Sequence, residues 1–179
     1  SIGSVYGGGN KAAVTGAVSV EISAGEVKKN VFGGGNLAGI NNTTGQTDGT
    51  ATVTIEGGII GSHTTDPNTY GIYGGCNSEG TVADRVQVNI KGGTLGRTGD
   101  NSYRLKGVYG GGLGQNTNTS GNVEVIIGEN SNPTIYGDVY GGSALGKVNG
   151  TSVSSTLHTT VTMKNGAVYG DIYGGGLGI

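Results

Sequence analysis

Val5-Tyr6-Gly7-Gly8-Gly9 is the stretch on which the fold turns, because the chain repeats it five more times. The later copies are Val31-Phe32-Gly33-Gly34-Gly35, Ile72-Tyr73-Gly74-Gly75-Cys76 and Val108-Tyr109-Gly110-Gly111-Gly112. Val139-Tyr140-Gly141-Gly142-Ser143 and Ile172-Tyr173-Gly174-Gly175-Gly176 complete the series. From aromatic to aromatic the spacings are 26, 41, 36, 31 and 33 residues. Self-similarity on that scale marks an architecture of stacked repeats. The first two glycines stand in every copy, whereas the third gives way to Cys76 and Ser143. Gly7, Gly8, Gly33, Gly34, Gly74, Gly75, Gly110, Gly111, Gly141, Gly142, Gly174 and Gly175 are therefore expected to be structural turn positions. Each would sit at positive φ or at a corner too crowded for a Cβ.

Working outward, each of the first five signatures is followed by a segment of period-two alternation, the mark of a half-buried strand. The copies are Val18-Ser19-Val20-Glu21-Ile22, Ala51-Thr52-Val53-Thr54-Ile55, Val86-Gln87-Val88-Asn89-Ile90, Val123-Glu124-Val125-Ile126-Ile127 and Thr159-Thr160-Val161-Thr162-Met163. A third, shorter element centres on Val27, Ile60, Leu95, Ile135 and Val168. One such unit cannot bury its aliphatic side chains alone, so units must stack. The expectation is an all-β fold, a right-handed parallel β-helix of five to six coils with three short strands per coil. Residues 1–179 would form one domain, with coils about 4.8 Å apart. The signature opens the chain at residues 1–9 and closes it at 171–179, without a polar capping unit. That pattern predicts an internal slice of a longer rod, or a block capable of end-to-end self-association.

Composition agrees with a thin, regular core. Glycine accounts for 41 of 179 residues and proline for two. The glycines do not fall at every third position, which excludes a collagen-like helix. Ten Lys and Arg oppose twelve Asp and Glu. No basic stripe is present, so nucleic acid is not an expected partner. No apolar run approaches the roughly 18 residues that a membrane-spanning helix needs.

Candidate site residues fall into three groups. In extended geometry an aromatic next to an inward aliphatic points the other way. Tyr6, Phe32, Tyr73, Tyr109, Tyr140 and Tyr173 are thus expected to form a ladder on one outer face or corner, either a stabilising ring stack or a binding strip for sugars or a protein partner. Asp138 and Asp171 occupy the same repeat position in Tyr-Gly-Asp-Val/Ile-Tyr segments, which would stack their carboxylates about 5 Å apart. Such a pair is solvated, bridged by a cation such as calcium, or catalytic in glycoside hydrolysis. Calcium is the one cofactor the sequence suggests. The third group is the insertions at two corners. Residues 37–50, 77–85, 113–122 and 144–158 follow the signature, and residues 62–71 and 97–107 precede it. They are rich in Asn, Thr, Ser and Gly and would line one edge of the rod, where solenoids carry binding sites.

His63 and His158 have no Cys or acidic neighbour at metal-ligand spacing and read as surface loop residues. The lone Cys76 cannot form an internal disulfide. The outward threonines Thr52, Thr54, Thr160 and Thr162 raise ice binding as a minor alternative. Ser19, Glu21, Gln87, Asn89, Glu124 and Ile126 interrupt that array. No nucleotide-binding or hydrolase motif occurs.

The Val/Ile-Tyr/Phe-Gly-Gly-Gly-Asn/Leu signature, with its Val-x-Val-x-Ile strands, resembles the Gly-rich repeats of bacterial adhesin-like cell-surface proteins, notably of gut bacteria. The resemblance covers essentially the whole chain and implies an extracellular, surface-attached location, with glycans or host-surface proteins as partners. It supplies no catalytic residues, and no enzymatic activity is expected. The competing reading is a carbohydrate-active β-helix that binds or cleaves polysaccharide, as lyase or hydrolase.

Overall fold

A computed structural model describes residues 1–62, 70–98, 105–149 and 156–178. His63 lies outside these residues. All described regular structure is β-strand, and every strand pairing is parallel. The strands sort into four sheets that run the length of a solenoid.

The first sheet stacks the six signatures. It holds β1 (Val5–Tyr6), β5 (Asn30–Phe32), β9 (Tyr70–Tyr73), β13 (Lys106–Tyr109), β17 (Asp138–Tyr140) and β21 (Ile172–Tyr173) in that order. The alternating segments make another sheet, from β3 (Val18–Ile22) through β7 (Ala51–Ile55), β11 (Val86–Ile90) and β15 (Val123–Ile127) to β19 (Thr159–Met163). The short third elements make a sheet of two-residue strands: β4 (Glu26–Val27), β8 (Ile59–Ile60), β12 (Thr94–Leu95), β16 (Thr134–Ile135) and β20 (Ala167–Val168).

The fourth sheet corrects the expectation of three strands per coil, since each coil has four. The segments after the signature contain β2 (Val14–Thr15), β6 (Ile40–Asn41), β10 (Glu79–Val82), β14 (Asn116–Thr119) and β18 (Lys147–Val148). Asn and Gly favour turns over strands, and a stretch such as Asn116-Thr117-Asn118-Thr119 offers no aliphatic alternation. Neighbouring coils impose the strand: Val82 pairs with Ile40 on one side and Thr119 on the other.

Register is tight. Val53, Val88, Val125 and Val161 stand above one another, as do Thr52, Gln87, Glu124 and Thr160. One set fills the interior while the other faces out, because the side-chain period of a strand is two. The interior is one continuous cluster that includes Val31, Ile55, Ile72, Val108, Ile127, Ile135 and Val139, all fully or almost fully buried. A second, separate cluster contains Phe32, Tyr73, Tyr109, Tyr140 and Ala144.

The corners explain the glycines. None of the twelve signature glycines has a positive φ. At ten of them crowding supplies the requirement, whereas a Cβ on Gly174 or Gly175 would meet nothing within 4 Å. A Cβ on Gly74 would lie 2.3 Å from the carbonyl oxygen of Gly110 and 2.2 Å from a methyl of Val86. Left-handed glycines appear elsewhere, several of them between the alternating strands and the third-element strands. Gly93 has φ +80°, and a Cβ there would also lie 2.7 Å from the oxygen of Gly58. Only glycine adopts such a φ without strain.

Candidate functional site

The aromatic ladder exists, and it is not an outer face. Successive rings from Tyr6 to Tyr173 stack with centroids 4.8–5.0 Å apart and planes within 13° of parallel. Phe32 and Tyr73 are 0 % exposed, Tyr109 1 % and Tyr140 5 %. The aromatics do point away from the aliphatic interior. The chain beyond the glycines then folds back over them, and Leu105, Leu113, Leu145 and Leu177 pack against the stack. The expected outer strip is therefore corrected: its four central rings form a second core. Only the end rings, Tyr6 and Tyr173, remain substantially exposed. The recurrence of Leu113, Leu145 and Leu177 just past the glycines was the sequence signal for this cover.

Burial governs the chemistry of these phenols. Desolvation pushes Tyr73 and Tyr109 well above the ordinary tyrosine value of 10.0. The Tyr73 hydroxyl donates to the carbonyl oxygen of Leu105 at 3.1 Å. Tyr140 is raised first by burial and then by its hydrogen bond to Asp138.

Asp138 and Asp171 do sit on consecutive coils, and each is already supplied with donors. The Tyr140 hydroxyl donates to Asp138 Oδ2 at 3.1 Å, and the backbone amide of Asp171 donates to Asp138 Oδ1 at 2.9 Å. The Tyr173 hydroxyl donates to Asp171 Oδ2 at 3.2 Å. The two carboxylates thus anchor the free ends of the last two rings. Calcium takes six or more oxygens. Among the described residues no third acidic, His or Cys side chain joins them.

His158 is exposed, and its ring Nδ1 lies 3.3 Å from the backbone oxygen of Thr156. Cys76 is buried; its thiol donates to the Ala38 oxygen at 3.3 Å, and burial raises its pKa. A protonated, enclosed thiol is not a nucleophile.

The looped edge carries the concave surface. One cleft of about 370 Å³ is lined by Thr47, Thr50, Asp84, Arg85, Asn122 and Leu157, contributed by four successive coils. A second, of about 290 Å³, is lined by Thr81, Gln115, Asn116, Thr117, Asn118 and Lys147 on the outer side of the fourth sheet. Register builds this second wall, because Thr81 pairs with Asn118 and Asn118 with Lys147. Local hydrogen bonds shape the first. The Asp48 carboxylate accepts from the Thr43 amide at 2.7 Å and its hydroxyl at 2.8 Å, which lowers its pKa. Asn122 Oδ1 accepts from the His158 amide at 3.0 Å. The second lining is dominated by amides and hydroxyls, groups that exchange hydrogen bonds with neutral polar ligands, while the first sets the charged Asp84 and Arg85 beside Thr47, Thr50 and Asn122. Reading the sequence located this edge. It missed that a sheet, rather than loops alone, holds most residues of the second lining in register.

The chain matches no protein family, no curated protein and no solved structure. Its parallel β-solenoid architecture rests on its own strands and their pairing.

Proposed function

We propose that this chain is an adhesive repeat segment of a bacterial extracellular surface protein, a rigid rod whose looped edge binds a glycan or a partner protein. The winding is right-handed in this reading, the sense that parallel strand crossovers overwhelmingly take. The observation that carries the proposal is the pair of polar clefts formed by the segments after the signature, the second with Thr81, Asn116, Thr117 and Asn118 fixed by sheet register. Hydroxyl-rich ligands are recognised by planar amides and hydroxyls held in place, and clefts of this size accommodate single sugar units. The likeness of the signature to adhesin-like repeats supports the extracellular setting.

A glycan array tests the proposal directly. Binding that falls at least tenfold in an Asn122→Ala or Asn118→Ala variant, with melting unchanged, supports it. An array without hits, combined with no binding to surface proteins, would sink it. The alternative is a carbohydrate-active β-helix, favoured by one observation: the Asp84 carboxylate lines the larger cleft beside Arg85. Polysaccharide digestion with and without calcium separates the two readings. Cleavage lost on Asp84→Asn would establish the enzyme.

A further inference from the structure

The two clefts formed by the segments after the signature differ in charge. In the first, Asp84 stands next to Arg85, so an anion and a cation line the same space. In the second, Lys147 is the one charged residue of the described lining. Register places it there, because Thr81, Asn118 and Lys147 stand above one another in three successive coils. Its side chain is exposed, while its carbonyl oxygen accepts from the Ser143 hydroxyl at 3.4 Å and so ties the backbone to the signature.

The wall of this cleft divides into groups in use and groups left open. The Thr117 hydroxyl donates to the Gly114 oxygen at 2.7 Å, and Asn118 Nδ2 donates to the Ser120 hydroxyl at 3.2 Å. These bonds fix the shape of the wall. The side chains of Thr81, Gln115, Asn116 and Lys147 make no hydrogen bond or ion pair among the described residues. Lys91 and Lys164, by contrast, are each paired with a glutamate, at 2.9 and 2.5 Å. Open amides and a hydroxyl exchange hydrogen bonds with the hydroxyls of a ligand. An unpaired ammonium beside them adds attraction for a negative charge, and charge-assisted hydrogen bonds are the stronger kind.

We propose that the second cleft binds a sugar unit carrying one anionic group, with the charge at Lys147 and the ring hydroxyls against Thr81, Gln115 and Asn116. This inference rests on the glycan reading above and narrows it to one cleft and one class of sugar. Lysine is a compact point charge and not a planar fork, so it selects for charge and is indifferent to carboxylate geometry. A sugar carboxylate and a sugar sulfate both satisfy it. Glu79 sets the orientation. It is exposed and pairs in register with Asn116, two coils and roughly 10 Å along the axis from Lys147. An anionic group turned toward that side would meet a carboxylate, so the charged end of the ligand lies over Lys147. The first cleft lacks this preference, because Asp84 offsets Arg85.

The experiment applies the full 179-residue chain to glucose, galactose and mannose, each immobilised as the neutral sugar, the uronate and the monosulfate. For at least one of the three sugars, both anionic forms should bind at least about threefold more tightly than the neutral form, the scale of an exposed ion pair. The preference should shrink in about 1 M salt, where the screening length falls to about 3 Å. Lys147→Gln should bring the three forms to one level, and Lys147→Arg should restore the difference. Glu79→Gln should tighten the anionic forms at low salt. Neutral forms that bind as well as the anionic ones would overturn this inference and leave the glycan reading standing, as would a preference that survives Lys147→Gln. Binding of none of the sugars would overturn the inference together with the glycan reading.

Discussion

Gly74 and Gly174 open the same corner of the same signature, and their surroundings could hardly differ more. Around Gly74 the oxygen of Gly110 and a methyl of Val86 occupy the space a side chain would need. Around Gly174 there is open space to 4 Å. The backbone needs no special conformation at either position, since neither glycine lies at positive φ. The contrast teaches that the signature is written for a neighbour. A repeat of this kind encodes coil-to-coil contact, and the stack is held by what each coil denies to side chains as well as by what it buries.

The largest effect should follow from filling the crowded corner. Gly74→Val forces a side chain into a contact between coils and should cost more than about 4 kcal/mol, the range reserved for gross core disruption. Loss of cooperative unfolding in urea would check it. Next comes the second core. Tyr109→Ala removes a ring stacked on both sides at 5.0 Å and should cost about 3–5 kcal/mol. Tyr173→Ala, at the exposed end of the same stack, should cost much less, and similar urea midpoints for the two variants would break the comparison between middle and end.

The buried rings also predict the response to alkali. Tyr73, Tyr109 and Tyr140 have folded pKa values raised above 10.0, chiefly by burial. The folded state therefore holds protons that the unfolded chain releases. Their contribution to stability is complete below pH 10 and is lost progressively as the pH climbs above it. A spectrophotometric titration should show phenolate from the central stack only together with unfolding.

A smaller effect, of opposite sign, is expected in the fourth sheet. The Thr119 hydroxyl is buried without a hydrogen-bond partner, in register with Val82 and Val148. Thr119→Val keeps the shape and removes an orphaned polar group, so it should stabilise by about 1 kcal/mol. At the permissive third glycine position, Cys76→Ala should cost about 1 kcal/mol through one lost buried group. The exposed pairs Lys91–Glu56 and Lys164–Glu129, at 2.9 and 2.5 Å, contribute least.

These contrasts also mark what the sequence could reveal. Repetition exposed the stacking, the parallel sheets and the crowded glycines, because those depend on residues that recur in every coil. The fourth strand stayed hidden because Asn116-Thr117-Asn118-Thr119 has no intrinsic preference for it; the neighbouring coils supply the pairing. Alternation correctly turned Tyr73 and Tyr109 away from the aliphatic interior. It was silent on what lay beyond, since alternation gives the direction of a ring and not its cover, which the recurring Leu113, Leu145 and Leu177 supply. The polar edge was legible as composition, whereas the pairing of Thr81, Asn118 and Lys147 into one wall required register.

The most direct test is the pair Gly74→Ala and Gly174→Ala in the same 179-residue chain, read as unfolding free energy. A single methyl is the smallest group that can probe the space, and it leaves propensity effects equal at both sites. The account predicts a loss of several kcal/mol at Gly74 and a change within about 0.5 kcal/mol at Gly174. Equal losses at the two positions would contradict it, for the glycines would then be required by their own corner and not by the coil above.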